Sequence, residues 1–212
     1  MYYHHLIWDF DGTLFDSYPH IHAAYTKALA DFGYSVDGDT LMARLKINFT
    51  EAHKYVEESL GIPTADIRAR FSQYEHDIDF VPRAELYPGM KELLTDTHRA
   101  GVKHYLFTHR NNLALTYMER AGILDLFSGW VTSDDKAHFA LKPSPVSILY
   151  LLDRYSIPAD DCAMVGDREI DVQSGVTAGT KGILFDEFHS LGESCAEHRV
   201  YSVAGMRELI FS

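Results

Sequence analysis

Short apolar runs alternate with helical patterns along most of the chain, and this alternation limits the folds that it can adopt. Five runs have the length and composition of buried strands, namely residues 5–10, 102–107, 129–132, 162–165 and 182–185. Segments with a helical apolar period lie between the later runs. Strands that alternate with helices form a parallel sheet covered by helices. We therefore predict a Rossmann-like, doubly wound α/β core.

The chain between residues 17 and 83 departs from this rhythm, because no segment in it has a convincing strand pattern. Apolar residues from Ile21 to Phe32 recur with a helical period, and Gly33 follows them as a helix stop. Further helical patterns cover 51–60 and 67–74. We predict a small all-helical cap over residues 16–83, inserted after the first strand. The α/β core then comprises residues 1–15 and 84–212.

Composition limits the partners and the location of the protein. Acidic residues outnumber basic ones by 31 to 19, a net charge of −12, which argues against nucleic acid as a partner. A small phosphate compound stays possible, because a local cation or a metal can hold it. The chain has no apolar run long enough for a membrane helix, no signal-peptide pattern and only two cysteines. We expect a cytoplasmic monomer or weak homodimer that does not bind membranes.

Two aspartates follow the first predicted strand, in the order Asp9-Phe10-Asp11-Gly12-Thr13. If strand geometry persists, Asp9 and Asp11 point the same way. Two like charges at the end of an apolar strand repel each other, and a bound cation would relieve that repulsion. A solvated turn at the Asp-Gly pair is the alternative interpretation.

Three later positions lie at corresponding places in the pattern. Thr108 follows the second strand, where it is either a helix N-cap or a ligand contact. Lys142 precedes a proline and a predicted helix, where it is either a surface lysine or part of a site. Asp167 and Asp171 follow a strand and are four residues apart, so they share one face if a helix begins there. Acidic residues at a helix N-terminus are also favourable without any ligand.

This ordered set resembles the four motifs of the haloacid dehalogenase-like hydrolase superfamily, over essentially the whole chain. The matching residues are Asp9 to Thr13, Thr108, Lys142 and Gly166 to Asp171. The longest gap separates the first motif from the second and contains the helical insert. The chain is therefore similar to the branch of phosphoglycolate phosphatase and β-phosphoglucomutase, which has a helical cap.

The resemblance implies a role for each carboxylate. Asp9 is the nucleophile, and Asp11 is the general acid and base. The expected cofactor is Mg²⁺, held by the Asp9 carboxylate, the backbone carbonyl of Asp11 and Asp167. Asp171 orients either Lys142 or the groups that surround the metal ligands.

The same resemblance assigns the groups that bind phosphate. Lys142 and Thr108 contact its oxygens, and the backbone N–H groups of Phe10, Asp11 and Gly12 hold the transferring oxygens.

Two features bear on the phosphate pocket and the substrate without deciding either. His109 departs from the asparagine usual in relatives, and it is either a positive charge beside the phosphate at low pH or a packed strand-end side chain. In the cap, Arg44, Lys46 and Asn48 are candidates for substrate specificity, although solvated charge on a cap helix is the simpler interpretation. The cap segment lacks a glycine that many relatives have there.

We predict a Mg²⁺-dependent phosphatase that hydrolyses a small phosphorylated metabolite through an aspartyl-phosphate. Asp11 favours phosphoryl transfer, since the dehalogenases of the superfamily lack an acid at that position. A phosphomutase of the same branch is one alternative. A non-catalytic phospho-accepting signalling module is another, although the chain is long for it and carries a cap.

Overall fold

The computed structural model describes residues 3–187, 189 and 192–212. The chain divides into two compact units. One, the α/β core, runs up to Asp16 and resumes at Glu85, and the other, the helical insert, is Ser17–Ala84. The boundaries predicted from the sequence lie one residue earlier at both junctions.

The strands are β1 (His5–Trp8), β2 (Phe15–Asp16), β3 (Glu85–Leu86), β4 (Lys103–Phe107), β5 (Phe127–Val131), β6 (Cys162–Gly166), β7 (Lys181–Phe185) and β8 (His198–Val200). Six of them form one sheet in the order β5-β4-β1-β6-β7-β8, and every neighbouring pair in it is parallel. β2 and β3 form a separate antiparallel pair. The prediction of a Rossmann-like parallel core is confirmed.

The helices are α1 (Tyr18–Asp31), α2 (Gly38–Ile47), α3 (Phe49–Leu60), α4 (Thr64–Glu75), α5 (Met90–Arg99), α6 (Leu113–Ala121), α7 (Val146–Arg154), α8 (Glu169–Thr177) and α9 (Val203–Phe211). In the core, α7 packs against β4 and β5, and α8 packs against β6 and β7. Across the described part of the chain, none of the helices combines the length and apolar character needed to cross a membrane.

β1 lies in the middle of the sheet and sets the position of the strand ends. Leu6, Ile7 and Trp8 are fully buried, and the strand pairs with β4 on one side and β6 on the other. Because all three strands are parallel, their carboxyl ends meet at one edge of the sheet, where ligands bind in such folds. The residues that follow these strands therefore share one edge.

The helical insert has its own apolar core. Ile21 and Tyr25 of α1, Leu41 of α2, Val56 of α3 and Phe71 of α4 are among its buried members. The sequence patterns predicted α1, α3 and α4 but not α2. Its start does carry a local signal, since the Asp37 side chain accepts the Thr40 N–H.

Four other elements were not predicted. The pair β2–β3 has two residues in each strand, and β8 has three, so these strands are too short to show a period. α9 at the chain's end was also missed, although Ser202 caps it by accepting the Gly205 N–H. β1 is shorter than predicted, because it ends at Trp8.

A histidine is buried beside the central strand. His104 of β4 is fully buried, and its Nδ1 accepts the Nε1–H of Trp8 at 3.0 Å. Its Nε2 lies 3.1 Å from the Thr97 hydroxyl. Because the indole N–H can only donate, Nδ1 carries no proton and the ring is neutral. Burial, with a smaller contribution from His98, lowers the pKa of His104 to about 3.

We expect His104 to make the core unit less stable as the pH falls below 6.5. His104 then binds a proton in the unfolded chain, whereas in the folded chain it stays unprotonated down to about pH 3. The free energy of unfolding therefore decreases. His104→Asn removes this titration and keeps an acceptor for Trp8. Between pH 7 and 5, the stability advantage of the wild type over the variant should shrink by about 2 kcal/mol. Urea unfolding followed by tryptophan fluorescence measures it, and parallel pH profiles would contradict it.

Candidate active site

The segment after β1 is a tight loop and not a continued strand. Asp9 N–H donates to Val165 O at 2.9 Å, and the Phe10 carbonyl then accepts the N–H groups of Leu14 and Phe15. Gly12 has φ +71°, a conformation that other residues rarely adopt, and its N–H donates to Phe15 O at 2.8 Å. Strand geometry therefore does not persist through Asp9 and Asp11, and a turn positions them.

Lys142 is buried between two carboxylates. Its Nζ lies 2.6 Å from Asp9 Oδ1 and 2.8 Å from Asp171 Oδ1, and all three side chains are almost completely inaccessible. The ammonium also lies 4.7 Å from the centre of the Phe107 ring. Lys142 is thus part of the site and not a surface lysine.

Burial and charge act in opposite directions on the two carboxylates. Burial raises the pKa of Asp9 to about 6, although Lys142 lowers it. Burial also acts to raise the pKa of Asp171, but Lys142 and Arg168 outweigh it and bring that pKa below its usual value. Asp171 is therefore held as a carboxylate by its cations, while Asp9 is only partly compensated.

Asp167 completes a group of three acidic side chains. One carboxylate oxygen from each of Asp9, Asp167 and Asp171 lies within 4.8 Å of the others. Asp171 Oδ2 accepts the Arg168 N–H at 3.0 Å, whereas Asp9 Oδ2 is buried without a hydrogen-bond partner among the described residues. The group can therefore accept a cation at Asp9.

Asp167 and Asp171 do not share a helix face, because the helix does not begin at Asp167. α8 begins at Glu169, so Asp167 precedes the helix and only Asp171 belongs to it. The close packing of this turn depends on Gly166, because a Cβ there would lie 2.2 Å from Asp171 Cβ. The two aspartates are brought together by the turn.

The segment after β4 contributes three consecutive polar residues. Thr108 is buried, and its hydroxyl oxygen accepts the Arg110 N–H at 3.1 Å, which leaves the hydroxyl hydrogen to donate. Arg110 Nε lies 2.8 and 3.0 Å from the two carboxylate oxygens of Asp11. These contacts join the second predicted motif to the first.

His109 contacts the backbone of Lys142. Its Nε2 accepts the Lys142 N–H at 2.9 Å, and its ring packs edge-on against Phe139. Burial, with Lys142 and Arg168, lowers the pKa of His109 to about 3. The ring is therefore neutral at ordinary pH, which favours the packed interpretation, and its contact with phosphate stays a prediction.

The three candidate specificity residues lie in the insert and have contacts there. Arg44 and Lys46 lie in the last turn of α2, over the rings of Tyr55 and Tyr18. The Asn48 side chain caps α3 by accepting the Glu51 N–H at 2.8 Å. Their contact with a substrate stays a prediction.

Comparison with known proteins identifies the family. The family model described as haloacid dehalogenase-like hydrolase matches residues 6–185. The chain belongs to this family. A phosphoglycolate phosphatase of Aliivibrio fischeri is 28% identical over 206 residues, which cover 91% of the chain and 88% of that protein. The resemblance stated from the motifs is thereby confirmed.

Solved structures agree with this assignment. A hydrolase from Streptococcus pneumoniae is 30% identical, with a TM-score of 0.69 and full coverage of both chains. A candidate β-phosphoglucomutase from Thermotoga maritima has a TM-score of 0.79 over 98% of both chains. At 21% identity, it supports the fold alone.

Sequence reasoning missed two cations in this haloacid dehalogenase-like hydrolase. Arg110 pairs with Asp11, and Arg168 Nε lies 3.6 Å from Asp171 Oδ2 and 4.0 Å from Asp167 Oδ1. Both arginines are adjacent, or nearly so, to motif residues at strand ends. For Arg168, which follows Asp167 directly, that position was a usable signal, whereas Arg110 has no aspartate beside it in the sequence.

We expect Lys142→Met to lower the free energy of unfolding by about 3–5 kcal/mol, because Asp9 and Asp171 stay buried without their cation. Urea unfolding in the presence of a chelator measures the loss. Adding Asp171→Asn should restore part of it.

The matched control is Lys181→Met. Lys181 also forms a 2.8 Å ion pair, with Glu197, but that pair is exposed to solvent. Its loss should cost less than about 1 kcal/mol. Equal losses in the two variants would contradict the buried role of Lys142.

Proposed function

We propose that this hydrolase is a Mg²⁺-dependent phosphatase that removes phosphate from a small phosphorylated metabolite through an aspartyl-phosphate. Family membership and the phosphoglycolate phosphatase relatives support phosphate-ester hydrolysis. One observation carries the mechanism, namely the buried Asp9 carboxylate, with one oxygen on Lys142 and the other without a hydrogen-bond partner in the part of the chain that the structure describes.

Asp9 is placed to act as a nucleophile. Lys142 holds Oδ1, so the carboxylate has a fixed orientation. In the first step, an Asp9 oxygen forms a bond to phosphorus and the bond from phosphorus to the leaving oxygen breaks. Covalent catalysis of this kind divides one difficult hydrolysis into two easier steps.

Asp11 supplies and recovers the proton. It protonates the leaving oxygen in the first step, and in the second it accepts a proton from the attacking water. The bond between Asp9 and phosphorus then breaks, and inorganic phosphate is released. Asp11 ends in its starting protonation state, so the cycle balances.

The residues present suit a magnesium ion. The donors are carboxylate oxygens and a backbone carbonyl, which this hard cation prefers, and Asp9 Oδ2 has no hydrogen-bond partner in the described part of the chain. Asp9, Asp167 and the Asp11 backbone carbonyl would hold the ion. When bound, it neutralises the repulsion between the nucleophile and the phosphate.

Phosphate recognition falls to groups at the strand ends. The Thr108 hydroxyl has a hydrogen to donate, and the Lys142 ammonium contributes positive charge beside Asp9. Arg168 adds a second cation near Asp167 and Asp171. Donors and cations fixed in a buried site stabilise the charge that develops on the transferring oxygens.

We expect purified protein with Mg²⁺ to release inorganic phosphate from at least one member of a broad panel of phosphorylated metabolites. Asp9→Asn should lower kcat by at least about 10³-fold, because covalent catalysis then has no nucleophile. The folded state should persist, as checked by circular dichroism. Asp153→Asn, on the exposed side of α7, is the matched control.

Two outcomes of the panel would count against the proposal. Full activity of Asp9→Asn would refute the nucleophile. An isomeric sugar phosphate in place of free phosphate would indicate the phosphomutase alternative.

Removal of divalent metal should abolish turnover, and added Mg²⁺ should restore it. Magnesium at about 100 times its dissociation constant should also raise the free energy of unfolding by about 2.7 kcal/mol. Asp167→Asn should weaken this stabilisation, which can be measured by thermal unfolding without any substrate. Turnover that persists in excess chelator would contradict the metal requirement.

A further inference from the structure

A buried arginine is attached to the side chain that handles the proton. Arg110 Nε lies 2.8 Å from Asp11 Oδ1 and 3.0 Å from Asp11 Oδ2. The Arg110 side chain is 6% exposed and the Asp11 side chain 21%. One N–H therefore faces both oxygens of the carboxylate, and this contact restricts rotation of the carboxylate about the Cβ–Cγ bond.

The guanidinium is itself fixed by its surroundings. It lies over the ring of Phe10 at 5.4 Å and over the ring of Tyr117 at 5.9 Å. The Arg110 backbone N–H donates to the Thr108 hydroxyl, and its carbonyl accepts the Ser133 N–H at 2.8 Å. An arginine held in this way has little conformational freedom left to lose when it binds a carboxylate.

The contact spans a long stretch of chain. Asp11 lies on the loop after β1 and Arg110 on the segment after β4, and the turn that carries Asp11 is held through Phe10 and Phe15. The position of the Asp11 carboxylate is thus set from two sides. A general acid works only within hydrogen-bond reach of the proton acceptor, so its placement limits the rate.

We propose that Arg110 is a positioning residue that holds the Asp11 carboxylate in the orientation needed for proton transfer. The inference rests on the proposed function of Asp11. It predicts that loss of Arg110 impairs both steps for a substrate whose leaving oxygen needs a proton. For a leaving group that departs as a stable anion, only the second step suffers, since water still has to lose a proton.

The experiment compares Arg110→Met and Arg110→Lys on an alkyl monophosphate from the panel and on p-nitrophenyl phosphate. On the alkyl phosphate, Arg110→Met should lower kcat about 10- to 100-fold with little change in KM, because both steps slow. On p-nitrophenyl phosphate, kcat and KM should fall together, because only the second step slows. With p-nitrophenyl phosphate, the variant should show a burst of one nitrophenol per enzyme followed by slow turnover, and phosphorylated enzyme should accumulate. With the alkyl phosphate, there should be no burst.

The second variant and the control keep the test decisive. Arg110→Lys keeps the charge and loses the Nε contact, so it should also lower kcat on the alkyl phosphate at unchanged KM, even if the methionine variant fails to fold. Arg99→Gln removes an exposed arginine paired with Asp96 and should have wild-type kinetics.

The outcomes separate the two proposals. Arg110 variants that are folded and within twofold of wild type on both substrates would overturn the positioning role, as would equal losses without a burst. A wild-type protein that releases no phosphate from either substrate would overturn the proposed function instead.

Discussion

The ion pairs of buried Lys142 with Asp9 and Asp171 are the interaction on which the rest of the site depends. Transfer of a charge into a protein interior costs several kcal/mol per ion, and only close partners offset it. The three residues come from the loop after β1, the segment before α7 and the first turn of α8. Their mutual attraction therefore holds together segments that are far apart in the sequence.

The parallel sheet makes this convergence possible. β4, β1 and β6 are neighbours, so the residues after Phe107, Trp8 and Gly166 reach the same edge without long loops. Small residues and tight turns then allow the aspartate side chains to approach one another closely. Gly166 leaves room for Asp171, and Gly12 permits the tight turn directly after Asp11.

The sequence was sufficient to predict what depends on local pattern. Periodicity located most helices of the core, and motif order indicated the family and the residues around Asp9. It did not locate β2, β3 or β8, because strands of two or three residues show no period. Nor did it foresee that Arg110 meets Asp11 or that His109 accepts the Lys142 N–H, since these contacts arise only from the pairing of distant strands.

The arginines change how the acidity of the protein should be understood. The chain has a net charge of −12, and on the sequence alone a phosphate compound stays possible only because a local cation or a metal can hold it. In the structure, the carboxylates of Asp9, Asp11, Asp167 and Asp171 lie among Lys142, Arg110 and Arg168, so the local charge is close to balance. A divalent cation there would make the site positive overall. A phosphate dianion would then be attracted to this site even though the protein as a whole is strongly acidic. The electric field at short range is set by the buried charged groups of the site, because the surface charges are screened by water and salt.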